Sequence, residues 1–305
     1  MVSRASRAYL PLIALLAAIW GASFMFIKVA DRAFHPWTLM AFRVLLAAVI
    51  LFGVLAARHG LGRAAREIRE LALPALVLGA ITAAVPFTLI AWGETHIDSG
   101  VAAIGNASMP IWIAALALRF QRQERVYGFR LVGLAIGIVG VAVLVGVHPR
   151  GGWWGIAGTV AVIVAAVSYA VGSLSSQHLV GRRDPLAVAT ASIIGAAVLL
   201  LPVALFQLPG DMPGWKPVGS VIALGVLGTA AGQLLYFALL VGYGSARASL
   251  VTYLLPIPAL FYGVTLLGEP LTVAEVVGGA LILGGVVLAS GFVRLRRREA
   301  APVAP

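Results

Sequence analysis

The sequence predicts an all-α integral membrane protein: ten transmembrane helices arranged as two inverted five-helix repeats. Three observations carry that prediction, namely the composition, the apolar stretches and a motif written twice. Of the 305 residues, 61% are hydrophobic and 11% charged, and the mean hydropathy is +1.01. Soluble domains run about 45–50% apolar and about 25% charged. A bilayer-spanning helix needs about 20 mostly apolar residues. Ten such stretches can be marked, at about 9–27, 37–57, 71–92, 98–118, 127–147, 154–177, 186–206, 217–240, 245–267 and 272–293. Little chain is left for a soluble domain.

The repeated motif organises the rest. Asn106-Ala-Ser-Met-Pro110 leads through an apolar helix to Gln123-Glu124-Arg125 and then to Gly133 through Gly146. Thr252-Tyr-Leu-Leu-Pro256 leads to Gly268-Glu269-Pro270 and then to Gly278 through Gly291. With Pro110 on Pro256, Ile111 falls on Ile257; after a one-residue shift Glu124 falls on Glu269, Gly133 on Gly278, Gly140 on Gly285 and Gly146 on Gly291. A period of about 145 residues means one half written twice, residues 8–147 and 154–293, joined near His148–Gly152. Five spans per half is an odd number, so the second half enters the membrane from the opposite side. Such inverted repeats are common in secondary transporters, which bind substrate near the midplane between the repeats.

The elements follow in order. Span 1, after Arg4 and Arg7, is too long for the apolar core of a signal peptide and is read as retained. Pro36-Trp37 opens span 2 and Pro185-Leu186 opens span 7. Asp98-Ser99-Gly100 opens span 4, and Gly244-Ser245-Ala246 opens span 9. Residues 58–70 are open to two readings, an amphipathic helix on the inner surface or a solvated basic loop. Residues 294–305 read as a disordered cytoplasmic tail.

The net charge of +11 marks topology. With the N-terminus inside, the cytoplasmic segments hold Arg4, Arg7, Arg58, Arg63, Arg66, Arg69, Arg119, Arg122, Arg125, Arg130, Arg182, Arg183, Arg247, Arg294, Arg296, Arg297 and Arg298. The outer side holds Lys28, Arg32, Arg150 and Lys216. That asymmetry follows the positive-inside rule and makes anionic lipid on the cytoplasmic side the natural partner of the basic excess. Basic patches interleaved with aromatics are missing, so no nucleic-acid partner is expected. Without cysteine there are no disulfides or thiolate metal sites. No metal and no cofactor are expected: Glu94, His96 and Asp98 read as a solvated outer loop. Gly-x-Ser-x-Gly, His-Glu-x-x-His and P-loop motifs are absent, so the chain does not read as an enzyme.

Chemistry inside the membrane starts with proline, which frees the carbonyl four residues back. Pro110 frees that of Asn106, Pro256 that of Thr252 and Pro86 that of Thr82. Broken backbone at membrane depth survives only where protein or a water-filled cavity supplies partners. The three kinks therefore line a polar cavity, or are satisfied locally in a closed bundle. The substrate-binding candidates are Trp20, Ser23, Arg43, Thr82, Trp92, Asn106, Met109, Tyr169, Ser173, Gln233, Tyr236, Thr252 and Tyr253. Gln233 is the most telling of them, because a buried amide needs several partners, and Tyr236 shares its helical face. Trp92 sits at a span end, as do Trp153 and Trp154, where an aromatic belt is the plainer account. Arg43, two turns into span 2, either offers a guanidinium to a substrate carboxylate or snorkels to the outer interface. No acidic residue lies deep in a span, which disfavours cation exchange on an intramembrane carboxylate. The glycines of spans 5 and 10 (Gly133, Gly137, Gly140, Gly278, Gly279, Gly284, Gly285) have spacings suited to close helix packing or dimerisation.

Trp20-Gly-Ala-Ser-Phe24, Phe42-Arg43 and the doubled Pro…Glu…Gly pattern resemble the drug/metabolite transporter superfamily, and within it the EamA-type ten-helix exporters. The resemblance covers about 8–293. It implies a central cavity between the halves, alternating access, and export of an amino acid or similar small metabolite across a bacterial inner membrane, with both termini cytoplasmic and the protein a monomer or homodimer. Two departures stand out. Ser192 occupies the position of Arg43 in the second half, and Gln123-Glu124 replaces the Gly-Glu of 268–269. A lipid or lipid-linked-sugar flippase and a non-transporting receptor or assembly factor are the alternatives.

Overall fold

A computed structural model describes residues 4–120, 129–146, 152–180 and 183–289. Glu124 and its neighbours, residues 148–151 of the joint and the tail 294–305 lie outside the described residues. Among the described residues every regular element is helical. The helices are α1 (Arg4–Ala30), α2 (Pro36–His59), α3 (Leu61–Glu70), α4 (Ala72–Glu94), α5 (Ser99–Asn106), α6 (Met109–Phe120), α7 (Phe129–Gly146) and α8 (Gly152–Val180). They continue with α9 (Pro185–Leu205), α10 (Trp215–Tyr243), α11 (Ser245–Ala248), α12 (Val251–Leu254), α13 (Pro256–Tyr262) and α14 (Val273–Ala289).

Local chemistry sets the boundaries. Pro36 and Pro185 stand in first turns, where a missing N–H costs nothing. The Asp184 carboxylate accepts from the Leu186 N–H at the start of α9. Gly60, at φ 84°, ends α2 and turns the chain into α3. Of the two readings for 58–70, the helix is the one found, and His59 and Glu67 meet at 2.9 Å across its start.

Seven helices among the described residues are long and apolar enough to cross a membrane, and Leu131–Leu144, Val251–Leu267 and Val273–Leu288 are shorter apolar helices. The core lies along α2, whose Leu39, Met40, Val44, Leu51 and Leu55 are fully buried, against α9 and α10. At one side α7 and α14 lie against each other. A methyl on Gly140 would come 2.7 Å from the Ile282 nitrogen, and one on Gly285 would come 2.5 Å from the Gly137 nitrogen. The predicted glycine stripes thus face each other within one chain.

Contacts among the connections fall into two groups. At one end the Tyr9 hydroxyl donates to the Arg247 carbonyl (3.0 Å), His59 Nε2 meets Asp184 (3.3 Å) and Arg183 meets Glu70 (2.9 Å). At the other, the Thr38 hydroxyl donates to the Gln207 carbonyl (2.8 Å), Lys28 donates to the Glu94 and Ile97 carbonyls, and His96 stacks on Trp154.

Candidate functional site

The three prolines mark real breaks. Before Pro86, α4 passes through a π turn over Ala80–Ala84, and the Thr82 hydroxyl donates back to the Leu78 carbonyl (2.6 Å). Before Pro110 the helix stops at Asn106 and restarts at Met109, with the Ser108 hydroxyl donating to the Gly105 carbonyl (2.6 Å). Before Pro256 it stops at Leu254, and the Thr252 hydroxyl donates to the Ser249 carbonyl (2.8 Å). The hydroxyls at the breaks thus find local carbonyls, those of Leu78, Gly105 and Ser249, rather than the ones the prolines free. Asn106 is the exception: its side-chain oxygen is buried without a partner among the described residues, an acceptor that demands an explanation. Two further π turns, Leu224–Ala231 in α10 and Gly263–Leu267 after α13, have no proline to announce them. Such turns recur at functional sites.

The π turn of α10 holds Arg43. The guanidinium Nε donates to the Thr229 hydroxyl at 2.8 Å, and the guanidinium carbon lies 4.0 Å from the centre of the Phe87 ring. Phe87 meets Tyr169 edge-on at 6.4 Å. Arg43 is only 6% exposed, so it points into the bundle and does not snorkel to an interface. Its partner is neutral, and among the described residues it makes no ion pair, which leaves a buried cation without a bonded anion. α2, α4, α8 and α10 converge on this one side chain.

Trp20 and Tyr236 form a second group. Their rings lie 5.7 Å apart and the Trp20 indole donates to the Gly228 carbonyl at 3.1 Å. Gly232 makes room: a methyl there would collide with the Trp20 nitrogen. Ser23 is buried beside Gly228 and donates to the Ile19 carbonyl (3.2 Å). The two groups share one stretch of α10, residues 228–232, so Trp20, Ser23, Arg43, Tyr169 and Tyr236 are brought together.

Other candidates stand apart. Trp92 contacts His96, with ring centres 4.7 Å apart, at the far end of α4. Ser173 is exposed, and Gln233, Met109, Thr252 and Tyr253 are half-buried. Trp153 and Trp154 are exposed, as an aromatic belt requires. Thr229, Phe87 and the close-approach glycines 228 and 232 were missed. The small-residue run Gly228-Thr-Ala-Ala-Gly232 was the available signal.

Glu94 corrects an expectation outright. It does not belong to a solvated loop: it is 0% exposed, covered because α4 ends between α1 and α8. Among the described residues no group of three or more metal-ligating side chains is assembled. Nearby, the Glu269 carboxylate accepts from the Ser99 backbone N–H (3.0 Å) and from its hydroxyl (2.6 Å), capping α5 from 170 residues away.

A helical membrane bundle with a cation and aromatics buried along broken helices defines the class as a polytopic membrane protein built around its interior. Comparison makes the class specific: the model of the EamA-like transporter family matches twice, over residues 8–146 and 156–291. The chain belongs to that family and is a membrane transporter of the EamA type. It is 31% identical over 303 residues to a Streptantibioticus cattleyicolor protein named "Probable terminal-alkyne amino-acid exporter", covering 94% of this chain and 95% of the relative. It is 27% identical over 292 residues to the Escherichia coli "Uncharacterized inner membrane transporter YedA", covering 92% and 91%. A protein of known crystal structure shares the fold with a TM-score of 0.66 at 18% identity, over 94% of this chain and 97% of its own.

Proposed function

We propose that this transporter exports a small amphipathic or zwitterionic metabolite, an amino acid or a close analogue, by alternating access at a site between two inverted repeats, 8–147 and 154–293. The observation that carries the reading is Arg43, a buried guanidinium held by a neutral hydroxyl and an aromatic face. A planar fork of N–H donors suits a carboxylate, and Phe87, Tyr169, Trp20 and Tyr236 offer apolar surface to the rest of the solute. Asn106, Gln233, Thr252, Tyr253, Thr82, Met109, Ser173 and Trp92 remain secondary candidates outside this group.

The packing supports the inverted repeat. Exchanging α1 with α8, α2 with α9, α4 with α10, α5 and α6 with α12 and α13, and α7 with α14 maps the principal contacts onto one another. The α4–α8 contact becomes α10–α1, α9–α4 becomes α2–α10, and α6–α8 becomes α13–α1, while α2–α9 and α7–α14 map onto themselves. The two groups of connections support helices that alternate in direction. The arginine bias and the inner-membrane relative support a bacterial inner-membrane location with cytoplasmic termini. The facing glycine stripes of α7 and α14, satisfied within one chain, favour a monomer.

The test is counterflow in proteoliposomes with a panel of labelled amino acids, each paired with its decarboxylated amine. Export of amino acids with the amines excluded is the expected result. Equal counterflow of an amino acid and its amine would remove the carboxylate role from Arg43.

A further inference from the structure

The end of the bundle between α1 and α2 holds two carboxyl groups for which binding at Arg43 has no use. Glu94 is fully buried, and among the described residues neither of its carboxyl oxygens has a hydrogen-bond partner. Both carboxyl oxygens of Asp31, just past the end of α1, are also buried and unpartnered. The charged groups that face Glu94 are Asp31 and Lys28 from α1 and its end, Arg43 from α2, and Glu269. On α8, Tyr169 stands against Arg43. On the turn after α4, His96 is engaged by the Thr95 hydroxyl and the Trp92 carbonyl.

Lys28 is the cation that ought to neutralise the pair, yet its ammonium donates to the main-chain carbonyls of Glu94 and Ile97. Glu269, in the same cluster, shows what a partnered carboxyl group obtains here: both the N–H and the hydroxyl of Ser99. Asp31 and Glu94 obtain nothing comparable. Withdrawing an ionised carboxylate from water without a partner is strongly unfavourable, whereas burying a neutral carboxylic acid costs far less.

We propose that Asp31 and Glu94 form an occluded proton-binding site, and that opening this end of the bundle releases the proton and so links transport to proton movement. The linkage rests on the transport reading above. In the closed arrangement the two carboxyls are acids. When α1 and α4 part and water enters, the O–H bond breaks, the proton passes to water and the carboxylate keeps the electron pair. Lys28, freed from the two carbonyls, then pairs with the carboxylate, and closing reverses each step. Burial pushes the Asp31 carboxyl up to about 8 against the pull of Lys28. The closed form therefore binds protons that the open form lacks: acid favours closure, and opening gains as pH rises through about 8.

Two measurements test this on the purified full-length protein. The first is infrared titration between about pH 5 and about pH 9, following the C=O stretch of protonated carboxyls in the wild type, D31N and E94Q. A band lost as pH rises, and reduced in both variants, is expected; a wild-type spectrum without it overturns the site. The second is flux of labelled amino acids in proteoliposomes with and without a pH gradient. The gradient should raise wild-type flux about fivefold or more, with the ratio falling to one in D31N and E94Q. An unchanged ratio in the variants overturns the coupling, and stimulation by a sodium gradient in place of the pH gradient overturns the proton as the ligand. Absence of flux for every solute counts against the transport reading alone, because the infrared titration still decides the proton site.

Discussion

Two helix pairs, α7 with α14 and α4 with α10, use small residues for opposite ends. In α7 and α14 the glycines let two unbroken helices touch along their backbones. In α4 and α10 the helices are interrupted by π turns at Ala80–Ala84 and Leu224–Ala231. There the small residues admit side chains: Gly228 and Gly232 accept Ser23 and Trp20, and Thr229 receives Arg43. A glycine stripe on a regular helix makes a scaffold, whereas the same residues on a wound-out turn make a receptacle. The difference lies in backbone register rather than in composition.

Three substitutions break or sharpen that contrast. The largest effect belongs to the scaffold. Gly285→Leu drives a side chain into the Gly133–Gly137 backbone and should cost about 3 kcal/mol or abolish folding. Yield and thermal melting of the purified protein measure it, and flux should fall only as the folded fraction falls. Next comes the receptacle. Arg43→Gln should cut amino-acid counterflow about tenfold or more through loss of the charged fork, with a melting temperature that stays close to wild type. A collapse of stability with flux per folded molecule intact would make Arg43 a structural residue. The smallest effect is expected from Gly232→Ala. Its methyl displaces Trp20 and the indole bond to Gly228, a loss of about 1 kcal/mol. It should appear as a KM change of a few fold with the maximal rate retained, and an unaltered KM would take Trp20 out of the solute path.

Much of the fold was legible because its signals are local. Apolar length located the helical segments: the described residues of the predicted stretches are helical apart from a few end positions and the breaks at 107–108, 249–250 and Leu255. Pro86, Pro110 and Pro256 announced breaks because a missing N–H acts within one turn. The π turns of α10 and of Gly263–Leu267 were not legible: without a proline, an extra residue per turn leaves no mark in hydrophobic period. For Arg43 the sequence left two readings, since a side chain that long can reach an interface or a helix interior from the same position. Glu94 was misread for a related reason. Its place at a helix end suggested solvent, whereas α1 and α8 cover it.

By itself the sequence determined what depends on neighbours along the chain: the helical segments, their proline breaks and the glycine faces that permit close approach. Only the tertiary structure decided which polar groups meet. Thr229 lies 186 residues from Arg43, and Glu269 lies 170 from Ser99. Such pairs form because helices from both halves stand side by side. In a dry interior a polar group takes whatever partner the packing supplies, and where the described residues supply none, as at Glu94, a carboxyl is left to be answered by a proton.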